Sequence, residues 1–178
     1  MELSALLKLI QENEAPRSYS CLMLDLSPLK KYWRQLERKI CPCDLYVEEE
    51  GHGFETEPHI TIKYGLHTND FDEILDEIDF RPISLRMDKI SLFENEKFDV
   101  LKFDVVSRAL HGLNGRICDK FEFTDKFKDY HPHATIAYLK AGRGKDYVDI
   151  ECPLLGEEVS SNRFTFSPAD GEKSYYKA

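Results

Sequence analysis

Two seven-residue segments of the chain follow the same pattern, and this repeat restricts the fold more than any other feature. Residues 58–64 read P-H-I-T-I-K-Y and residues 132–138 read P-H-A-T-I-A-Y, so both fit P-H-x-T-I-x-Y. Each segment is rich in β-branched and aromatic residues, which predicts a strand. A helix precedes each of them in the predicted order of elements. The repetition indicates an internal pseudo-duplication, with two related lobes.

Strand geometry indicates where the repeated side chains point. Side chains two residues apart lie on the same face of a strand, about 7 Å apart. His59 and Thr61 are therefore expected on one face, and His133 and Thr135 on the equivalent face of the second copy. Imidazole and hydroxyl groups need polar partners when buried. This face is predicted to be wet or to hold a ligand.

The same parity assigns the other residues of each motif. Lys63 is predicted on the face of His59 and Thr61, where its charge would neutralise a phosphate or be solvated. Tyr64 and Tyr138 are predicted to turn away from that face and to pack in the core with the hydroxyl at its rim.

Two histidines that converge across a cleft suit acid/base chemistry. A neutral imidazole takes a proton from the attacking group, while a protonated one gives a proton to the leaving oxygen. Threonine hydroxyls donate hydrogen bonds to the phosphate oxygens as charge develops. The predicted catalytic residues are His59, Thr61, His133 and Thr135. The alternative reading is two structural histidines and two threonines placed by strand propensity.

The remaining chain predicts an α+β arrangement in one domain over residues 1–178. Residues 1–17 are predicted as an added N-terminal amphipathic helix. Further helices are predicted at 29–40, 69–78, with Asn69 as cap, and 107–121, and a short helical segment within 145–159. Strands are predicted at 19–26, 59–64, 83–93, 100–106, 130–139, 163–166 and 174–177, with 83–93 and 100–106 forming a hairpin.

On these motifs the sequence resembles the two-histidine (2H) phosphoesterase superfamily, whose signature is two H-x-[ST] motifs about half a domain apart. The resemblance extends from about Tyr19 to Phe166. It implies the bilobal, pseudo-two-fold α+β fold of LigT-like and cyclic-nucleotide phosphodiesterases, with mostly antiparallel sheets around a central cleft and helices outside. It also implies catalysis without a metal or cofactor. Substrates of such enzymes include 2′,3′-cyclic phosphates, 2′-5′ linkages, RNA ends and cyclic oligonucleotide signals that phages degrade to blunt host immunity.

Three further residues are candidates for substrate binding. Lys63 is the first, for the reason given above. Tyr19, in the first predicted strand, could stack on a base or pack at the core rim. Arg143 lies in a Gly-rich turn after the second motif that could hold a phosphate or be a plain surface turn.

Composition limits the size of the substrate. The net charge of −9, from 33 acidic and 24 basic residues, repels long duplex nucleic acid. A cyclic nucleotide, a cyclic oligonucleotide or a short RNA end remains compatible with a small positive cleft. Function classes that stay open are a phosphodiesterase of cyclic oligonucleotides, an RNA-end or 2′-5′ oligoadenylate enzyme, and a non-catalytic nucleotide-binding module.

Cysteine usage and hydropathy bear on the cellular setting. The five cysteines lack the spacing of a secreted disulfide framework, and Cys41-Pro42-Cys43 is one residue too short for a CxxC site. Reduced, structural cysteines are expected. The sequence pattern predicts neither a signal peptide nor a membrane-length apolar segment. These features predict a monomeric, cytoplasmic protein that binds no membrane and no metal.

Overall fold

The chain folds into eight strands and three α-helices in a computed structural model that describes residues 19–49, 51–78, 81–125 and 129–178. The predicted N-terminal helix therefore lies outside the described residues. The strands are β1 (Ser20–Asp25), β2 (His59–Leu66), β3 (Ile83–Glu94), β4 (Phe98–Val106), β5 (His133–Lys140), β6 (Glu158–Ser161), β7 (Arg163–Ser167) and β8 (Ser174–Lys177). The helices are α1 (Lys30–Glu37), α2 (Phe71–Leu75) and α3 (Arg108–Lys120).

The strands form two four-stranded antiparallel sheets. The first lobe has the strand order β2-β1-β7-β8, and the second lobe has the order β5-β4-β3-β6. The two motif strands, β2 and β5, are the inner edges of their sheets and lie next to each other. The predicted bilobal α+β fold with mostly antiparallel sheets is confirmed.

The lobes repeat one connection. In each, a strand, a helix and a motif strand follow in sequence: β1-α1-β2 in the first lobe and β4-α3-β5 in the second. The helices cross between lobes, because α3 packs against β2 as well as β3. Trp33 of α1 likewise packs its ring against Phe103 of β4, with the centroids 5.3 Å apart. The pseudo-duplication is thus visible in topology, and each lobe covers part of the other.

One continuous core joins the lobes. The face of each motif strand opposite the histidine is closed by fully buried aliphatic residues, among them Ile60, Ile62 and Ile136. A buried aliphatic side chain of this size contributes about 1.5–3 kcal/mol relative to exposure. The core therefore fixes the orientation of β2 and β5, and with it the polar face.

Some boundaries differ from prediction. Segment 145–159 is not helical beyond a 3₁₀ turn at Gly144–Asp146, and its end forms β6. The predicted helix 69–78 is α-helical only over Phe71–Leu75, and its cap is Asp70, which accepts a hydrogen bond from Asp72 N at 2.9 Å. Asn69 instead contacts the loop before β8 through Asp170 and Ala169.

Cys41 and Cys43 depart from the expectation of reduced cysteines. Their sulfurs form a disulfide across a single intervening residue. Cys21, Cys118 and Cys152 are free. In the part of the chain that the structure describes, no helix has the length and apolar character needed to cross a bilayer.

Candidate functional site

A β-bulge interrupts the first motif directly after its threonine. Thr61 pairs with Met23 on β1, but the next pair along β1 joins Leu22 to Lys63, so Ile62 is an extra residue. A bulge of this kind changes which side chains share a face of the strand. Lys63 therefore lies on the side of Leu22, which is the core side.

The second motif contains the same bulge at the same position. Thr135 pairs with Lys102 on β4, and the adjacent pair joins Leu101 to Ala137, which leaves Ile136 as the extra residue. Ile136 and Ala137 are both fully buried. Bulges occur frequently beside active sites, where they re-aim side chains. Their repetition shows that both copies turn the strand in the same way after the histidine and threonine.

The bulges correct two predictions about strand faces. Tyr64 and Tyr138 return to the face of the histidines. Their partners Cys21 and Val100 lie two residues before Met23 and Lys102, the partners of the two threonines, and so share a face with them. The prediction that both tyrosines turn away is wrong for this reason. The prediction that Lys63 shares the face of His59 is wrong for the same reason.

The backbone fixes both histidine rings in one way. His59 Nδ1 donates to the carbonyl of Glu57 at 2.7 Å, and His133 Nδ1 donates to the carbonyl of His131 at 2.8 Å. A carbonyl accepts only, so Nδ1 carries the proton in the neutral ring and Nε2 keeps its lone pair. Among the described residues each motif thus leaves Nε2 for proton transfer, as an acceptor when the ring is neutral and a donor when it is charged.

The surroundings of the two rings differ in charge. Burial lowers the pKa of His133, and the charges of Lys102 and His59 lower it further, while the His131 carbonyl and Asp104 oppose the change. His133 is therefore mostly neutral at physiological pH. On the other side, Glu55 Oε2 lies 4.0 Å from Nδ1 of His59, where it can pair with the ring when that ring is protonated.

Aromatic side chains from the opposite lobe hold the main chain of both threonines. Trp33 Nε1 donates to the carbonyl of Thr135 at 2.9 Å, and the Tyr130 hydroxyl donates to the carbonyl of Thr61 at 3.0 Å. Asn114 donates to the carbonyl of the bulged Ile62 at 2.7 Å. These bonds satisfy carbonyls at the inner sheet edges and fix the position of each threonine.

The floor of the cleft next to Thr61 includes Cys21. Burial raises the pKa of the Cys21 thiol to about 11, although a hydrogen bond with Thr61 and the charge of Lys173 oppose the rise. The thiol is protonated at neutral pH and is a poor nucleophile. Its side chain is in hydrogen-bond contact with that of Thr61.

A cavity of about 360 Å³ opens beside His59 on the first lobe. Met23, Thr165 and Tyr175 of three neighbouring strands line it, and Tyr175 is 70% exposed. Lys173 Nζ closes one side through an ion pair of 2.7 Å with Glu57. The cavity combines an exposed aromatic ring with charged groups next to a candidate catalytic histidine.

The three predicted substrate contacts lie outside the histidine pair. Lys63 is 7% exposed, pairs with Asp125 at 2.9 Å and lies over the ring of Phe123, and its contact with a substrate stays a prediction. Tyr19 stacks on His67 at the end of β1 remote from His59. Its substrate contact stays a prediction.

Arg143 follows the end of β5 opposite to His133. Its guanidinium binds both oxygens of buried Asp44, with Nε at 2.8 Å from Oδ1, and pairs with Asp146. Among the described residues the sulfurs of Cys41 and Cys43 and a carboxylate oxygen of Asp44 lie within 4.8 Å of one another, but the two sulfurs are joined in a disulfide and do not act as thiolate ligands. Since Asp44 is held by Arg143 and by the Tyr147 hydroxyl, its carboxylate is committed to an internal network.

Several residues at the site were not predicted from the sequence. They are Cys21, Trp33, Lys102, Asp104, Tyr130 and Tyr175. Lys102 and Asp104 alternate along a strand pattern that is otherwise apolar, which is a readable signal for a polar face. The others have no local signal, because long-range packing alone brings them to the motifs.

Comparison with known proteins supports the fold. No family model and no curated protein matches the chain. E. coli LigT complexed with 3′-AMP superposes with a TM-score of 0.56 at 18% sequence identity, covering 90% of this chain and 94% of that chain. LigT complexed with ATP gives 0.53 at 18% identity over 90% and 95% of the two chains, and a structure described as a phosphoesterase gives 0.55 at 17% over 90% and 95%. The chain thus has the fold of the LigT-like 2H phosphoesterases.

Proposed function

We propose that this chain is a metal-independent phosphodiesterase that cleaves nucleotide phosphodiester bonds with His59, Thr61, His133 and Thr135. The observation that carries the proposal is the matched pair of histidines on adjacent strands, each with Nδ1 bonded to a carbonyl and Nε2 free. Binding alone does not require two proton-transfer groups. Cleavage by acid/base catalysis does require two such groups, a base for the attacking group and an acid for the leaving oxygen.

The two rings take different roles in this proposal. His133, whose pKa is lowered, acts as the base and removes a proton from the attacking hydroxyl or water at Nε2. The attacking oxygen forms a bond to phosphorus as the bond to the leaving oxygen breaks. Protonated His59 then gives its Nε2 proton to the leaving oxygen. The proton count balances, because His133 gains the proton that the attacking group loses while His59 loses one to the leaving oxygen, and proton exchange with water then restores both rings.

Thr61 and Thr135 stabilise the charge that builds on the non-bridging oxygens. Their hydroxyls share the face of the histidines, and their backbones are fixed by Tyr130 and Trp33. Donors that are fixed in advance stabilise a transition state without reorganisation. No ligand set for a metal is needed, since histidine and threonine carry out the proton transfers and charge stabilisation.

The substrate is proposed to be a small nucleotide, with cyclic oligonucleotides such as immune-signalling cyclic dinucleotides or trinucleotides as the first choice. The net charge of −9 disfavours long nucleic acid. The cavity beside His59 offers the exposed ring of Tyr175 to a nucleobase, and Lys173, paired with Glu57, lies at its edge. The LigT crystals with 3′-AMP and ATP are consistent with nucleotide binding in this fold. The enzyme is proposed to act as a cytoplasmic monomer.

One experiment distinguishes a phosphodiesterase of cyclic oligonucleotides from an RNA-end or 2′-5′ oligoadenylate enzyme and from a non-catalytic binding module. The protein is incubated in EDTA with cyclic dinucleotides and trinucleotides, 2′,3′-cyclic mononucleotides and 2′-5′ oligoadenylates, and products are identified by mass spectrometry. Cleavage of cyclic oligonucleotides supports the first choice. Cleavage of the other substrates indicates an RNA-end or oligoadenylate enzyme. Nucleotide binding without turnover would indicate a binding module.

Histidine variants test the mechanism on whichever substrate is cleaved. His59→Ala and His133→Ala should each lower kcat by roughly 10²–10⁴-fold, the usual contribution of acid/base catalysis. His67→Ala is the matched control, because His67 follows the far end of β2 and contacts Thr124. Full activity in either motif variant, with the control also active, would rule out the mechanism.

A further inference from the structure

The two motifs differ in the charge of the residue that lies opposite the threonine on the neighbouring strand. Thr61 of the first motif pairs across the sheet with Met23, whereas Thr135 of the second motif pairs with Lys102. A lysine thus stands on the histidine face of the second lobe at the position where the first lobe has an uncharged thioether. The two motifs experience different electrostatic surroundings although their backbones match.

Lys102 is buried, and its ammonium group contacts a hydroxyl, a carboxylate and an aromatic ring. It is 4% exposed, and its Nζ donates to Ser91 Oγ at 2.7 Å and to Asp104 Oδ1. The same Nζ lies 4.1 Å from the centroid of the Phe93 ring. An ammonium group loses much of its hydration on burial and is tolerated only when it is well paired. The hydrogen bonds and ring contact of Lys102 are therefore with protein groups, and its charge acts on His133 from within the sheet.

Those neighbours connect Lys102 to His133. Asp104 on β4 lies opposite His133 in the register of β4 against β5. The Phe93 ring meets the His133 ring edge to face, with the centroids 5.1 Å apart. Lys89 on β3 approaches the other oxygen of Asp104 at 3.8 Å. Among the described residues, the charged or titratable groups that act on His133 are Lys102 and Asp104 on β4 and His59 on β2, while Lys89 on β3 reaches only Asp104.

The two members of the pair act on His133 with opposite signs. The Lys102 charge lowers the pKa of His133 and the Asp104 charge raises it, in addition to the larger effect of burial. Burial disfavours the Asp104 carboxylate, but hydrogen bonds from Lys102 and Ser91 outweigh it, so the pKa of Asp104 lies below its usual value. The Asp104 carboxylate is therefore ionised at neutral pH, and its charge opposes that of Lys102 at the His133 ring.

We propose that Lys102 and Asp104 form a positioning pair that acts through His133 and holds this ring as the proton acceptor of the reaction. The inference rests on the proposed function for the reaction itself, but the effect on His133 is independent of any substrate. Lys102 keeps the ring uncharged before the attack. Asp104 stabilises the imidazolium once it forms and keeps Lys102 in place.

The test is a pH titration of the histidine rings by NMR in the full chain, with His133→Ala used to assign the His133 signal. Lys102→Met removes the lysine charge and should move the His133 midpoint to higher pH. Asp104→Asn removes the carboxylate charge and should move the midpoint to lower pH. Each full unit of displacement changes the protonated fraction about tenfold away from the midpoint. A merely structural role would not produce opposite displacements.

Two controls keep the test decisive. Lys63→Met removes another buried lysine that pairs with an aspartate and lies over a phenylalanine ring, but on the core side of β2, and should leave the His133 midpoint unchanged. Lys102→Arg keeps the charge and should hold the midpoint near that of the unmodified chain. It also serves as the folded comparison if Lys102→Met does not fold.

The outcomes separate the inference from the proposed function. Opposite displacements in the two variants, with matching shifts in the acidic limb of kcat/KM, support both. Phosphodiesterase activity with no displacement, or with displacements in the same direction, overturns the positioning pair and leaves the proposed function standing. Opposite displacements in a chain without activity on any nucleotide support the electrostatic pair and overturn its link to catalysis.

Discussion

Substitution of Gly65 by alanine tests whether the end of β2 is as closely packed as the structure shows. Gly65 has φ +87° and lies in the second irregularity of β2, between the pairs Cys21 with Tyr64 and Ser20 with Leu66. A Cβ at this position would lie 1.9 Å from the carbonyl oxygen of Thr124. Such a contact forces the loop away and breaks the 2.8 Å hydrogen bond from Thr124 N to Gly65 O.

The expected loss of stability combines three effects. A left-handed backbone costs an alanine about 1–2 kcal/mol. Loss of the hydrogen bond adds about 0.5–1.5 kcal/mol, and displacement of the loop adds more. Gly65→Ala should therefore lower the free energy of unfolding by about 2–4 kcal/mol, a large change for a single substitution.

Gly142→Ala is the matched control. Gly142 has φ +79°, but a Cβ there meets nothing within 4 Å, so the substitution costs the backbone conformation alone, about 1–2 kcal/mol. Urea unfolding followed by circular dichroism measures both variants on the same scale. Equal losses in the two variants would refute the close approach of Thr124 to Gly65. A larger loss in the Gly65 variant, accompanied by an unchanged m-value, would support it.

Three further predictions concern pH and the contacts between lobes. Because the pKa of His133 is lowered from its usual 6.5, the acidic limb of kcat/KM should lie below pH 6.5. The native state should also lose stability as pH falls below 6.5, since the unfolded ring then binds a proton that the folded ring does not. A pH–rate profile and unfolding curves across this range check both statements, and a limb above pH 6.5 would argue against His133 as the base. Trp33→Phe and Tyr130→Phe should each cost about 1–3 kcal/mol, because each leaves a threonine carbonyl without its donor, and kcat should fall with them; urea unfolding and steady-state kinetics measure the two effects. Hydrogen bonds from Arg143 and Tyr147 lower the pKa of Asp44, so this carboxylate stabilises the fold above its ordinary pKa of 3.8 and loses that effect as pH falls through its folded value. Asp44→Asn should therefore be less stable than the unmodified chain at neutral pH and should lose less stability on acidification. Thermal unfolding at neutral pH and at a pH below the ordinary pKa of Asp44 measures both effects.

The repeated motif predicted the orientation of four side chains correctly as far as each threonine. Strand parity places His59 with Thr61 and His133 with Thr135, and the sheet registers agree. Beyond the threonines the same rule gave the wrong face for Lys63, Tyr64 and Tyr138. A bulge adds one residue to a strand without a sequence signal of its own, because its cost depends on the partner strand and on donors such as Asn114 that reach it from elsewhere.

Long-range contacts account for the rest of what the sequence did not predict. The apolar patterns located seven of the eight strands within a few residues but not β6, a four-residue strand that is stabilised by pairing with β3. The surroundings of His133 depend on Lys102, which is remote in the chain and reaches the ring only through the register of β4 against β5. Local sequence carries the reactive groups, while the tertiary fold sets their proton affinities.

The exchange of helices between the lobes bears on how such a chain could have arisen. Helix α3 of the second lobe covers β2 of the first, and Trp33 of the first lobe supplies a hydrogen bond to the second. A half-length ancestor with a single motif would have exposed its inner sheet edge and left a threonine carbonyl unsatisfied. It would have gained both contacts by pairing with a second copy of itself. Gene fusion of such a homodimer would free the two copies to diverge, so that one motif could acquire a lysine where the other has a methionine.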